Sequence, residues 1–523
     1  MSEVDLPSLA ESGRNASEKN RSAAQEVNLA LKECGFGLFH LRLILAAFFG
    51  LVSGIVLGNS TPYVLSEAEC DLNMNLLQKG ILNAMPFTGM LTSCVVAGFL
   101  TDNLGRKIFL IIGYGGTFIF TIVSGLSQTY NILIVAKLLE GAFFATAYSP
   151  VLALTSEFCH DGVRDRLMMV ANSFFPIGQI LVGLQSWGIL MQNWNVSLFN
   201  GFIILHTWNY YFLILSLWSC MACISYALLP ESPMYYITQH QYDKAREVLI
   251  KVYKENTRKP ADTFKYKDLW KDKNKHAFNE KSEEHTSIKS QLTTGLHNIK
   301  PMFQRPLLWF LILFCILNFI SMKLYSVLRM WFPQLSAIFE HYSSQTSDMC
   351  VMLDTYTEDV KLRSYNVSSE HVCVPARSGT ETYINNVILG TICFVPYVIS
   401  GILVNKLGKR NLYLICGTIA IALTMALRWT NSKTAMVSLF STDVAVSQVM
   451  ASLTQTMVLE YFPTNIRSLA MSIVMTIGRT GTVVGNVVFP ILLDMGCAVP
   501  FFALAAIVAV TTAMALMIPA KKK

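Results

Sequence analysis

The sequence predicts an all-α membrane protein: twelve transmembrane helices in two pseudo-repeated six-helix bundles, with both termini cytoplasmic. Three observations carry this. Hydrophobic residues make up 53% of the 523 positions and charged residues only 14%, far from the mix of a soluble domain. Apolar stretches of spanning length occur twelve times. Landmarks also repeat at one offset: GFLTDNLGRK (Gly98–Lys107) returns as GILVNKLGKR (Gly401–Arg410), and Glu157/Glu460, Arg164/Arg467 and Gly178/Gly481 are likewise 303 positions apart. A fixed offset over so long a stretch marks two copies of one unit.

Taken in order, residues 1–40 are polar and read as a cytoplasmic tail. No cleavable signal peptide is visible, so the first apolar stretch directs insertion and stays. Spans fall at about 41–60, 80–101, 107–127, 131–157, 167–191 and 208–229, forming an N-terminal bundle over 41–229. Six more fall at about 306–328, 383–404, 411–429, 434–459, 468–493 and 498–518, forming a C-terminal bundle over 306–518 before a short tail, 519–523. Each is near the roughly 20 residues that a hydrocarbon core of about 30 Å requires.

Lys and Arg set the orientation. Arg106, Lys107, Arg164, Arg166, Lys406, Lys409, Arg410 and Arg467 lie in the short loops after even-numbered spans, whereas 61–78, 128–130 and 192–207 hold none. Those basic loops are therefore cytoplasmic. The same excess explains the formal charge of +7 without a nucleic-acid partner. The linker 230–305 carries fifteen Lys/Arg against ten Asp/Glu, and Ala245, Val248, Leu249 and Val252 fall at helical spacing near its start. A surface helix followed by a disordered stretch is expected there.

The largest outer loop is placed at 329–382. It holds Cys350 and Cys373, expected to pair in an oxidising compartment with Cys70 as a competitor. Sequons at Asn366 and Asn195 lie on the same outer side and are expected to be glycosylated.

Buried charge is the main source of candidate chemistry, because each ionised group costs a few kcal/mol or more at the membrane midplane and usually faces a cavity or a partner. Lys137 and Glu140 share a helix face, and Asp443 is the repeat partner of Glu140. They either satisfy one another or serve as proton or cation sites. Arg479 lies near midplane between Gly478 and Gly481 and is the candidate contact for an anionic substrate, or else pairs with Asp443 or Glu140. Lys323, near the outer end of its span, can also reach the membrane interface. The repeated turn supplies a conformational latch: Gly98 and Gly105 permit close packing, Asp102 approaches a helix N-terminus, and Arg106 and Lys107 stay in the headgroup zone. Gly401, Gly408, Lys409 and Arg410 are its second copy, with Asn405 in place of the acid. Glu157 with Arg164, and Glu460 with Arg467, are read as structural clamps at equivalent helix ends. No P-loop, zinc set, catalytic Ser/His/Asp context or dinucleotide fingerprint is present, so no enzyme, metal or cofactor is expected.

GFLTDNLGRK resembles the signature loop of the major facilitator superfamily, with Asn103 where Arg is common. Ser156-Glu157-Phe158, Pro230-Glu231-Ser232-Pro233, Trp331-Phe332-Pro333 and Glu460 to Arg467 extend the likeness across most of the chain. Together they resemble its synaptic vesicle glycoprotein branch, which is close to the organic ion transporters. The long outer loop between spans 7 and 8 fits the vesicle branch, whereas Met234 replaces a usual Arg. The resemblance implies the major facilitator fold and alternating access in a plasma or vesicle membrane. It also implies transport of a small organic solute, an anion favoured by the basic Arg479, with H+ or Na+ coupling through Glu140 and Asp443. A non-transporting vesicle protein that binds a partner is the alternative.

Overall fold

In the computed structural model, residues 23–198, 203–267, 269–270, 304–342, 348–365, 379–463 and 466–519 are described, with backbone alone at 94–104 and a few single positions. After a short helix α1 (Ala23–Cys34), the first half runs α2 (Leu38–Val64), α3 (Leu76–Leu104), α4 (Arg106–Leu126), α5 (Tyr130–Glu157), α6 (Asp161–Leu190) and α7 (Thr207–Leu228). A two-stranded hairpin, β1 (Asn195–Leu198) and β2 (Ile203–His206), separates α6 from α7. Two helices follow, α8 (Pro233–Thr238) and α9 (Tyr242–Thr257). The second half runs α10 (Leu307–Tyr342), α11 (Met349–Tyr365), α12 (Thr380–Leu407), α13 (Lys409–Ala426), α14 (Lys433–Tyr461), α15 (Arg467–Asp494) and α16 (Ala498–Met514).

Eleven of these are long and apolar enough to cross a membrane among the described residues, and α3, at 29 residues, holds the place of the twelfth. Their outward faces expose large apolar side chains such as Ile112, Ile119, Leu217, Ile224, Ile399 and Ile402. A bilayer supplies the apolar surroundings that water does not. The repeat is carried into the packing. Pairs α2·α6, α3·α5, α4·α5 and α4·α7 in the first half match α10·α15, α12·α14, α13·α14 and α13·α16 in the second. The halves meet through α3·α15 and α6·α12, contacts that the repeat exchanges, and through α2·α10.

The structure corrects the expected disulfide. Cys350 is bonded to Cys497, not to Cys373, with Cα atoms 5.2 Å apart. The reason is the path of α11, which lays its N-terminus beside the short connection between α15 and α16. Cys497 sits in that connection and Cys373 lies outside the described residues. Cys70 is disulfide-bonded as well.

Two segments read as loop or tail are helical. α10 continues to Tyr342 because Trp331, Phe332, Leu335, Ile338 and Phe339 are buried in the second-half core, so the region placed as an outer loop from 329 begins inside a helix. α1 docks on α9, where Ala245, Val248, Leu249 and Val252 face Val27, Ala30, Leu31 and Cys34 in one apolar cluster. Polar contacts fasten both to the bundle: Asn256 accepts from Phe39 N at 3.0 Å, Arg42 pairs with Glu255 at 2.6 Å, and Asn28 donates to Asp161 at 2.6 Å.

Candidate functional site

The repeated turn builds matching clamps at the end of the bundle that carries α1 and α9. Gly105 has φ +106, and a Cβ there would lie 2.7 Å from Glu231 Oε2. The Glu231 carboxylate therefore seats under the turn and accepts from Lys107 N at 2.9 Å and from Ser232 N at 2.9 Å. Arg106 pairs with Glu157 at 2.8 Å, and Ser232 donates to the same carboxylate. In the second half Lys409 pairs with Glu460 at 3.0 Å, the same contact moved by 303 positions. Arg164 does not pair with Glu157. It pairs with Asp161 at 2.9 Å and donates to the carbonyls of Ser156 and Cys159, and Arg467 likewise donates to Phe462 O at 3.3 Å. Arg410 donates to Leu516 O at 2.8 Å, and Gly401 and Gly408 have open space around them. The surroundings of Gly98 and the side chain of Asp102 fall outside what the structure describes.

Three of the buried charges lie inside the bundles and line none of the cavities described below. Lys137 and Glu140 approach at 2.8 Å, both fully buried, as an ion contact and not an aligned hydrogen bond. The ammonium also sits 3.9 Å over the Phe212 ring, and Glu140 accepts from Thr121 at 3.0 Å. Asp443 accepts from Thr424 at 2.7 Å, and its other oxygen has no hydrogen-bond partner among the described residues. Thr121 and Thr424 are themselves 303 apart, so the hydroxyl-to-carboxylate bond is a repeated device. Phe440 takes the position of Lys137 and packs on Phe501, so the cation is missing from the second copy. Lys323 is half-buried against Gly485 and is absent from the cavity wall.

Between the halves lies a cavity of about 710 Å³. Its wall is largely apolar and aromatic, with Phe87, Phe144, Phe175 and Phe394 among its members. Its polar members include Asn59, Gln179, Gln448 and two arginines, Arg329 and Arg479, with no Asp or Glu among the described lining residues. Close packing places Arg479: a Cβ at Gly481 would lie 2.2 Å from Phe319 O and one at Gly478 2.2 Å from Asn318, so these glycines bring α15 against α10. The Arg479 guanidinium stands 5.8 Å over the Tyr148 ring, and Arg329 donates to Tyr325 Oη and lies 5.4 Å over that ring. Neither arginine has a carboxylate within ion-pair distance among the described residues.

The cavity is shut at the end that carries the hairpin and α11. Lys79 and Glu69 form a buried ion pair at 2.8 Å, and Lys79 donates to Tyr356 Oη on α11 at 2.7 Å. Gln334 of α10 donates to the same hydroxyl at 3.2 Å. Tyr63 stacks on Tyr383 across the halves with ring centroids 6.3 Å apart, and Gly80 lies against Asn486 and Pro490. Asn195 is exposed on β1, and Asn366 lies outside the described residues.

Of the five charged candidates only Arg479 reaches the cavity. Arg329 was missed because its position read as the start of a loop. The usable signal was Trp331-Phe332 directly after it, an apolar continuation that places Arg329 inside a span.

A family profile described as "Sugar (and other) transporter" matches residues 42–326, and one described as "Major Facilitator Superfamily" matches 383–523. The chain belongs to the major facilitator superfamily. It is accordingly a multi-pass integral membrane protein. Among superfamily relatives, synaptic vesicle glycoprotein 2A of Rattus norvegicus is 26% identical over 250 residues, covering 47% of this chain and 34% of that protein. Synaptic vesicle glycoprotein 2B of Homo sapiens is 23% identical over 344 residues, covering 63% and 50%. The chain thus spans between a third and half the length of these relatives. The xylose transporter XylE from E. coli, in a partially occluded inward open conformation, superposes with TM-score 0.62 at 13% identity over 92% of this chain and 100% of that one. A D-xylose-proton symporter superposes with TM-score 0.61 at 14% identity. These likenesses establish the superfamily fold.

Proposed function

We propose that this protein transports a small organic anion by alternating access. One observation carries the reading: the cavity between the halves holds two guanidiniums and no carboxylate among its described lining residues. An unneutralised cation deep in a membrane protein costs a few kcal/mol or more, and an anionic substrate supplies the missing charge. The aromatic and apolar wall suits the organic part of such a solute. Two repeated bundles that rock against each other around a central site provide the movement.

The end carrying α1 and α9 is cytoplasmic in this reading. The basic loops support it, and so do the cysteines: Cys34 and Cys159 at that end are free, whereas Cys70, Cys350 and Cys497 at the other are bonded. With the outer end closed by the Lys79 network, substrate enters from the cytoplasm in this conformation. Asp443 and Glu140 are the candidate groups for H+ or Na+ coupling. The test is uptake of radiolabelled organic anions and cations by purified protein in liposomes, with and without a pH gradient. Anion uptake above empty liposomes is expected, and Arg479→Ala should lower it by at least tenfold while surface expression survives. No uptake of any solute would leave the other reading, a vesicle membrane protein that binds a partner without turnover.

A further inference from the structure

We infer that Arg329 heads a second anion subsite, so that the substrate carries an anionic group at each end of an apolar body. This rests on the anion reading above and specifies which anions fit. Arg329 borders two spaces at once. One is the 710 Å³ cavity, and the other is an adjoining space of about 30 Å³ whose lining includes Asn59, Tyr63, Gln179, Arg329 and Asn386. A space of that size holds a compact polar group. Arg329, Asn59, Gln179 and Asn386 supply its polar lining, and a planar guanidinium with amide N–H donors is well matched to a carboxylate.

The two arginines sit at different depths. The contacts of Gly478 with Asn318 and of Gly481 with Phe319 place Arg479 level with residues 318–319 of the parallel helix α10. Arg329 lies ten or eleven residues further along, a backbone offset of roughly 16 Å at 1.5 Å per residue. The apolar wall of the cavity that both arginines line includes Met322, Phe87, Phe144 and Phe394. Two cationic ends with an apolar middle select a molecule of the same pattern, because an anionic group placed mid-cavity would be desolvated without a partner.

The experiment is thermal stabilisation of the purified full-length protein in detergent by two ligand series, α,ω-dicarboxylates from succinate to dodecanedioate and the matching monocarboxylates. A dicarboxylate of intermediate length should bind at least tenfold more tightly than its monocarboxylate. Arg329→Gln should abolish that preference by weakening dicarboxylate binding at least tenfold, whereas Arg479→Gln should weaken binding of both series. Arg329→Lys, which keeps the charge, should retain part of the preference. Equal binding of the two series, or an unchanged preference in Arg329→Gln, overturns this inference and leaves the anion reading standing. Binding of neither series overturns both.

Discussion

At the scale of single residues, the repeat offers an internal comparison. Glu140 has a hydroxyl from Thr121 and a cation from Lys137, whereas Asp443 keeps the hydroxyl from Thr424 but meets Phe440 where the cation would be. Removing one member of a buried ion pair strands the other, at about 3–5 kcal/mol, whereas neutralising both together costs far less. Lys137→Met should therefore lower the thermal unfolding temperature sharply, and Lys137→Met with Glu140→Gln should recover most of the loss. Asp443→Asn keeps the acceptor for Thr424 and should cost less than about 1 kcal/mol. A drop in Asp443→Asn as large as that in Lys137→Met would mean that Asp443 has a counter-charge after all. The kinship of Glu140 and Asp443 was legible from spacing alone. Which way they point was not. Spans that are apolar on every face carry no stripe from which to read their rotation.

At the scale of elements, α11 is a lid fastened to one half and latched to the other. The Cys350–Cys497 bond holds it to α16, and Tyr356 reaches the buried Lys79–Glu69 pair of the first half. Opening that end requires breaking this contact while keeping the ion pair. A hydrogen bond to a charged group is worth about 1.5–3 kcal/mol, so Tyr356→Phe should shift the equilibrium toward the open form by tenfold or more. The measurement is alkylation of a cysteine placed at Met330 in the cavity wall by a membrane-impermeant reagent added from the α11 side. Labelling at the wild-type rate would remove Tyr356 from the gate. The sequence concealed this lid because α11, with its Asp, Glu and Lys, has loop-like composition. Its helical form depends on Met349, Met352, Leu353 and Tyr356 being covered by the rest of the second half.

For the whole molecule, the twelve spans and their pairing into halves were legible because membrane insertion writes length and charge directly into the chain. The cavity was less so. It is formed by helices brought together from both halves, and of its two arginines only Arg479 stood out in sequence. Alternating access predicts that fixing the closed end halts transport. Cysteines replacing Tyr63 and Tyr383, whose rings stack across the halves, should abolish uptake when cross-linked and restore it on reduction. Full uptake by the cross-linked protein would exclude rocking about this cavity.

The docking of α1 and α9 also changes the length of the tether between the halves. By composition the linker runs from 230 to 305, but Trp270 donates to Glu26 on α1 at 2.5 Å and packs on Tyr242, so the chain is bound to the first half up to that point. In sequence, residues 271–306 connect that point to α10. In the proposed alternating-access cycle, shortening that stretch should limit how far the end carrying α1 and α9 opens, whereas changes before Trp270 act on the first half alone.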